Sequence, residues 1–219
     1  MKALFAAIIL LLSSNTFAQA VSVNVFQPLA GGAPRTVAYF REAREILEEA
    51  GAQVAISSDL SGTYRFAVAF PNWEAYGNWA QSLASNKDWA SFQAKTAKTP
   101  SAMQISNVLL NTISATPGGG PGTVTQVTVW KITTGTMAAL VEGGRMAKPI
   151  HEKSGARVSI YGSGGNMMYY LQNFDNMAAW GKNRDTPNPE FNAFMQSQTA
   201  ANNGSLGAEI VDQFTLNNL

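Results

Sequence analysis

The sequence predicts an α+β protein built from two tandem copies of one strand-helix-strand-strand-helix-strand unit, and three observations carry that expectation. The chain repeats itself. Gly51-Ala52-Gln53-Val54-Ala55-Ile56 returns as Gly155-Ala156-Arg157-Val158-Ser159-Ile160, 104 positions later, and the same offset matches sixteen of the 56 residues from 23 to 78. A run rich in proline and glycine, residues 114–123, separates the copies and suits neither helix nor sheet. Within each copy the apolar spacing switches between the period of a strand and that of a helix.

Taken in order, Val21 to Phe26 alternates, with Val21, Val23 and Val25 on one face and Asn24 and Phe26 on the other. Pro34 opens a helix whose apolar stripe is Val37, Phe40, Ala43, Leu47 and Ala50, and Gly51 lies just past its end. Strands follow at Gln53–Ser57 and Tyr64–Phe70, the latter with Tyr64, Phe66, Val68 and Phe70 on one face. Asn72 caps the next helix, a shorter helical piece holds Trp89 and Phe92, and Gln104–Ile113 closes the copy as a strand. This is the ferredoxin-like order. Helices then cover one face of each sheet, and two copies packed sheet to sheet hide the other. The domains expected are a signal peptide at 1–20, a first repeat at 21–113, a linker at 114–123 and a second repeat at 124–219.

The first residues read as an export signal: Lys2, the apolar run Ala3–Leu12, then Ala18-Gln19-Ala20 as a small-x-small cleavage site. Ten apolar residues span roughly 15 Å as a helix, about half a bilayer core, so stable membrane insertion is not expected. The mature chain is expected in the periplasm or outside the cell. Without Lys2, 14 basic residues balance 14 acidic ones, which leaves no excess for nucleic acid. No cysteine is present for a disulfide or a lipid anchor.

The helix-to-strand junction Glu48-Glu49-Ala50-Gly51-Ala52-Gln53-Val54, its second copy Glu152-Lys153-Ser154-Gly155-Ala156-Arg157-Val158, and the run Phe70-Pro71-Asn72-Trp73-Glu74-Ala75-Tyr76 followed by Trp89 and Phe92 resemble the dimeric α+β barrel superfamily. That group includes antibiotic-biosynthesis monooxygenases, EthD-like proteins, muconolactone isomerases, stress-responsive barrels and chlorite-dismutase-like haem proteins. The resemblance implies a barrel formed within one chain, a monomer carrying its own pseudo-dimer, with further association through strand edges or helices left open. It specifies fold rather than chemistry. Many members carry a histidine on the second helix; this chain has Gly77, Asn78 and Trp79, then Gly181, Lys182 and Asn183.

His151, the one histidine, stands where the first copy has Leu47 on its apolar stripe. It is the sole catalytic candidate, as a general base or a haem ligand between helix and sheet; against this, a histidine near a helix C-terminus is also favoured by the dipole. Pro149 is expected to disturb the helix beside it. One histidine and no cysteine exclude the usual zinc and transition-metal sites, and no Gly-x-Ser-x-Gly elbow supports a hydrolase. Gly162–Asn166 reads as a hairpin loop rather than a phosphate cradle. Arg41 with Glu48, repeated as Arg145 with Glu152, reads as a solvated helix face. The candidates for holding a small apolar or aromatic ligand are Phe26, Trp73, Tyr76, Trp130, Tyr170 and Trp180, with core packing as the competing role. The expected function is ligand binding without a conventional catalytic site and without a cofactor. The alternative is a cofactor-free oxygenase, isomerase or cyclase, and a haem barrel comes last.

Overall fold

The computed structural model describes residues 19–117, 119–201 and 204–219. The expected export signal lies outside these residues except for Gln19 and Ala20. Ala20 is fully buried as the first residue of strand one, and Gln19 bonds Phe70 and Thr112 through its backbone.

The first copy runs β1 (Ala20–Pro28), α1 (Ala33–Glu49), β2 (Gln53–Asp59), β3 (Tyr64–Phe70), α2 (Trp73–Leu83), α3 (Lys87–Lys98) and β4 (Ala102–Ser114). The second repeats it as β5 (Val124–Ile132), α4 (Met137–Lys153), β6 (Arg157–Ser163), β7 (Met167–Phe174), α5 (Met177–Asp185), α6 (Pro189–Ala201) and β8 (Ala208–Asn218). Each copy is an antiparallel sheet in the order 4-1-3-2. The sheets meet across a common interior and are also joined edge to edge. β4 pairs with β6 from Leu110↔Ser163 onward, and β2 pairs with β8 at Ser57↔Asn218 to Asp59↔Leu216. The result is one closed eight-stranded barrel. The two joins are short, Leu110–Ser114 of β4 and Leu216–Asn218 of β8, so closure engages only the ends of these strands.

Local chemistry sets the elements. The side chains of Asn72 and Asn176 accept from Ala75 N at 2.8 Å and Ala179 N at 2.9 Å, capping α2 and α5 alike. Gly51 and Gly155 adopt φ of +97° and +95° past α1 and α4, which a Cβ would strain. That turn lets the Ala156 amide reach back to the His151 carbonyl, as Ala52 does to Leu47. Helix α4 continues through Pro149, so His151 keeps the inward face that Leu47 has and the expected disturbance does not displace it. The Gly162–Asn166 stretch forms the β6–β7 hairpin, with Asn166 at φ +56°.

Three clusters form the core. One lies under the first copy's helices around Phe40, Leu47, Phe66 and Phe70, and one under the second's around Val158, Ile160, Tyr170 and Phe174. The third fills the barrel interior around Val127, Val129, Leu216 and Phe214. Burying Val158 and Ile160 completely contributes about 1.5–3 kcal/mol each. Across the interior the Arg65 guanidinium, paired with Asp59 at 2.9 Å, sits 4.0 Å over the Phe214 ring and ties the copies together.

Arg145 and Glu152, read from sequence as a solvated helix face, take different partners. Glu152 bonds Lys148, one turn away, at 2.7 Å, and Thr116 at 2.6 Å, while Arg145 reaches Glu142 at 3.9 Å. Positions four apart on a helix meet; positions seven apart are two turns away. This clasp holds Thr116, just after β4, against the second copy, and Lys148 also bonds the Val158 carbonyl at 2.6 Å.

Candidate functional site

Each copy has a cleft between its sheet and its helices. The first encloses about 760 Å³ and the second about 800 Å³. Strand alternation aims Ser22, Asn24 and Phe26 of β1 into the first cleft and Gln126, Thr128 and Trp130 of β5 into the second, with the valines turned to the other face. Of the candidates from sequence, Phe26 and Tyr76 line the first cleft; Trp130, Tyr170 and His151 line the second. Trp73 and Trp180 line neither. Trp73 is 36% exposed and donates its indole N–H to Asn111 Oδ1 at 2.6 Å, while Trp180 donates to Gln126 Oε1 at 2.9 Å. Both rings hold secondary elements together.

The two clefts differ most in their walls. The first copy has Leu47, Phe66 and Val68; the matching positions of the second are His151, Tyr170 and Gln172. Three apolar wall residues have become a polar cluster. Sequence reasoning singled out His151 and Tyr170 but missed Gln172, although the 104-residue offset exposes all three replacements. It also missed Gly143 and Gly144, which stand where the first copy has Tyr39 and Phe40. Of these two, only Gly143 leaves open space where the first copy has a ring, because Met168 fills the room beside Gly144. A Cβ at Gly144 would come within 3.2 Å of Met168 Sδ, whereas one at Gly143 would meet nothing within 4 Å.

Gln172 Nε2 faces His151 Nδ1; with that amide nitrogen as donor, Nδ1 accepts and the ring proton rests on Nε2. His151 Nε2 and Tyr170 Oη are both buried without a partner. Their rings pack edge to face, centroids 5.6 Å apart, and Phe191 of α6 packs against the imidazole at 4.3 Å. Two buried polar atoms without partners therefore occur on neighbouring rings of this cleft. Such groups carry a desolvation cost that a ligand oxygen would relieve.

Burial lowers the His151 pKa, against a smaller opposing pull from the Glu152 carboxylate, so the imidazole is neutral at pH 7. Burial, reinforced by Glu152, raises the Tyr170 pKa, so its phenol keeps its proton. Burial also pushes Glu152 upward, but hydrogen bonds from Lys148, Thr116 and the Val158 amide outweigh it and leave the pKa below the ordinary value.

These shifts set a pH dependence. An unfolded chain protonates its histidine near pH 6.5, before the folded chain does, so the His151 contribution is complete above that pH and declines as pH falls toward the folded value. The Glu152 contribution is lost lower, as pH falls from about 4.5 through its folded pKa. Melting temperatures measured from pH 8 to pH 5 should fall in the wild type, and the His151→Leu variant should lose that slope. An unchanged slope would assign it to other groups.

The chlorite-dismutase-like branch implies a haem, and this cleft does not fit one. His151 Nε2 is buried, Nδ1 is taken by Gln172, and Tyr170 and Phe191 pack on the imidazole, which leaves no room for a macrocycle over the ring as the side chains stand. Among the described residues no group of three or more His, Asp or Glu side chains is placed to hold a metal ion.

Barrel, helix layers and paired clefts define this chain as having the dimeric α+β barrel fold. By sequence it matches no protein-family model and no curated protein. By structure it is similar to a candidate monooxygenase from Lactobacillus acidophilus, with a TM-score of 0.63 and 13% identity over 92% of this chain and 94% of that one. An anthrone oxidase-like protein aligns with a TM-score of 0.60 and 11% identity, over 93% and 92% of the two chains. A candidate chlorite dismutase aligns at 0.51 and 11%, over 93% and 96%. The architecture shared with these structures is the dimeric α+β barrel.

Proposed function

We propose that the chain is an exported protein whose second-copy cleft captures a small flat aromatic ligand bearing a carbonyl or phenolic oxygen. The observation that carries this is the pair of unpartnered donors, His151 Nε2–H and Tyr170 O–H, in a wall that is wholly apolar in the sister copy. Apolar clefts with a few converging polar groups suit such ligands. Rotation of Phe191 away from the imidazole admits the oxygen, and Trp130 offers a flat surface within the same cleft.

A probe such as 1,8-dihydroxyanthraquinone should bind saturably by fluorescence titration. His151→Leu should weaken it at least tenfold, and Gly143→Tyr, which restores the first copy's residue, should block it while the fold persists. Equal affinity in wild type and both variants would sink the reading.

A second reading is catalytic. Two donors aimed at one ligand oxygen would stabilise an oxyanion on an electron-rich ring, the state that reacts with O₂ in cofactor-free oxygenation. In such a reaction a ring CH₂ becomes C=O, taking one oxygen atom while the other leaves as water. The structural neighbours named as a candidate monooxygenase and an anthrone oxidase-like protein support this through fold alone. With its proton on Nε2, His151 is arranged to donate rather than to act as a base toward the cleft. Oxygen uptake with anthrone tests it: binding without uptake leaves the first reading and removes the second.

A further inference from the structure

The first cleft has its own chemistry, and the features of the second do not account for it. We infer that it is a separate binding site, for a neutral flat ring carrying an amide-type edge with adjacent N–H and C=O groups. Its lining contains no charged side chain. A charged ligand would be left unpaired there.

The polar groups sit on the sheet side of this cleft, where Asn24, Gln104 and Asn107 interlock. Asn24 Oδ1 accepts from Gln104 Nε2 at 3.0 Å and from Asn107 Nδ2 at 2.9 Å, and Asn107 Nδ2 also donates to Ser22 Oγ at 3.0 Å. Both amide protons of Asn107 are thereby engaged and its orientation is fixed. These bonds leave Asn24 Nδ2 to donate and Asn107 Oδ1 and Gln104 Oε1 to accept, on three side chains that touch one another. Side-chain amides in such a row complement a ring edge that alternates donor and acceptor.

The opposite wall is aromatic. Trp89 and Phe92 stack at 5.3 Å with 22° between their planes, and the buried indole N–H of Trp79 has no partner. These offer flat contact and one further donor.

The second copy lacks this arrangement. Its strand-matched positions are Thr128, Ile210 and Gln213, with one bond from Gln213 Nε2 to Thr128 Oγ1 at 3.1 Å. One scaffold, duplicated, carries its polar groups on β1 and β4 in one copy and on β7 and the long helix α4 in the other. The ligands should differ accordingly.

Lumichrome, a neutral tricycle with an imide edge, is the probe, titrated by calorimetry into the whole chain. One equivalent that depends on the amide row is expected in the wild type and, unchanged, in His151→Leu, which removes any second equivalent held by the other cleft. The double variant Asn24→Thr with Gln104→Ile installs the residues of the other copy and should weaken binding at least tenfold. Asn107→Leu, at an exposed strand position, provides a second variant should that pair fold poorly, with circular dichroism as the check. Methylation of the imide nitrogen should likewise abolish binding. The inference is overturned by absence of binding, by equal binding of the methylated probe, by loss in His151→Leu with retention in the amide variants, or by binding of methyl glucoside in place of lumichrome. Failure here leaves the second cleft's reading untouched, because that rests on different residues and a different probe.

Discussion

Tyr170→Phe is expected to raise the stability of this barrel while impairing ligand capture. The Tyr170 hydroxyl is buried with no hydrogen-bond partner, in a residue only 6% exposed. Leaving such a group unpaired costs about 1–3 kcal/mol, and phenylalanine keeps the ring while removing the group. The first copy supplies the precedent, with Phe66 at the matching position, also buried. Denaturant titration should show a gain of about 1–2 kcal/mol. Titration with the anthraquinone probe should show affinity reduced roughly tenfold, the loss expected when one useful donor is removed. Opposite signs in the two measurements are the signature of a group kept for binding at a cost to folding. A loss of stability would mean that the hydroxyl is already satisfied within the fold.

Phe174→Ala should act in the other direction. Phe174 is 2% exposed at the end of β7 and packs in the second helix-side cluster. Truncating a buried phenylalanine removes its transfer free energy and leaves a cavity, a loss of about 3–5 kcal/mol. Phe70, its counterpart, is equally buried and should cost a similar amount. Both variants should unfold in one transition detected alike by near- and far-ultraviolet circular dichroism. The copies share strand ladders at β2–β8 and β4–β6, so neither sheet keeps its bonding when the other is lost. Two separated transitions would show that the copies fold as independent domains.

Much of this was legible in the chain. The 104-residue offset, the Asn72 cap, Gly51 past its helix and the strand Tyr64–Phe70 all follow from local rules, and the structure places each as expected. Thr36 is 1% exposed and bonds Ser101, far along the chain, a partner that local rules do not reveal. The aromatic candidates divided for a similar reason. Phe26, Tyr76, Trp130 and Tyr170 reached a cleft, while Trp73 and Trp180 found hydrogen-bond partners elsewhere. Periodicity gives the face a ring leaves from, but not the partner its N–H meets.

The sequence by itself determined the duplication, the order of elements and the side of each strand that carries valine or a mixed polar-aromatic set, because these depend on neighbours a few residues apart and on a fixed backbone period. The resemblance implied a barrel within one chain; only the tertiary structure decided which edges join, that Lys148 meets Glu152, and that His151, Tyr170 and Gln172 form one cluster. Those outcomes bring together groups from different elements, and they rest on distances of a few ångströms that chain spacing does not encode.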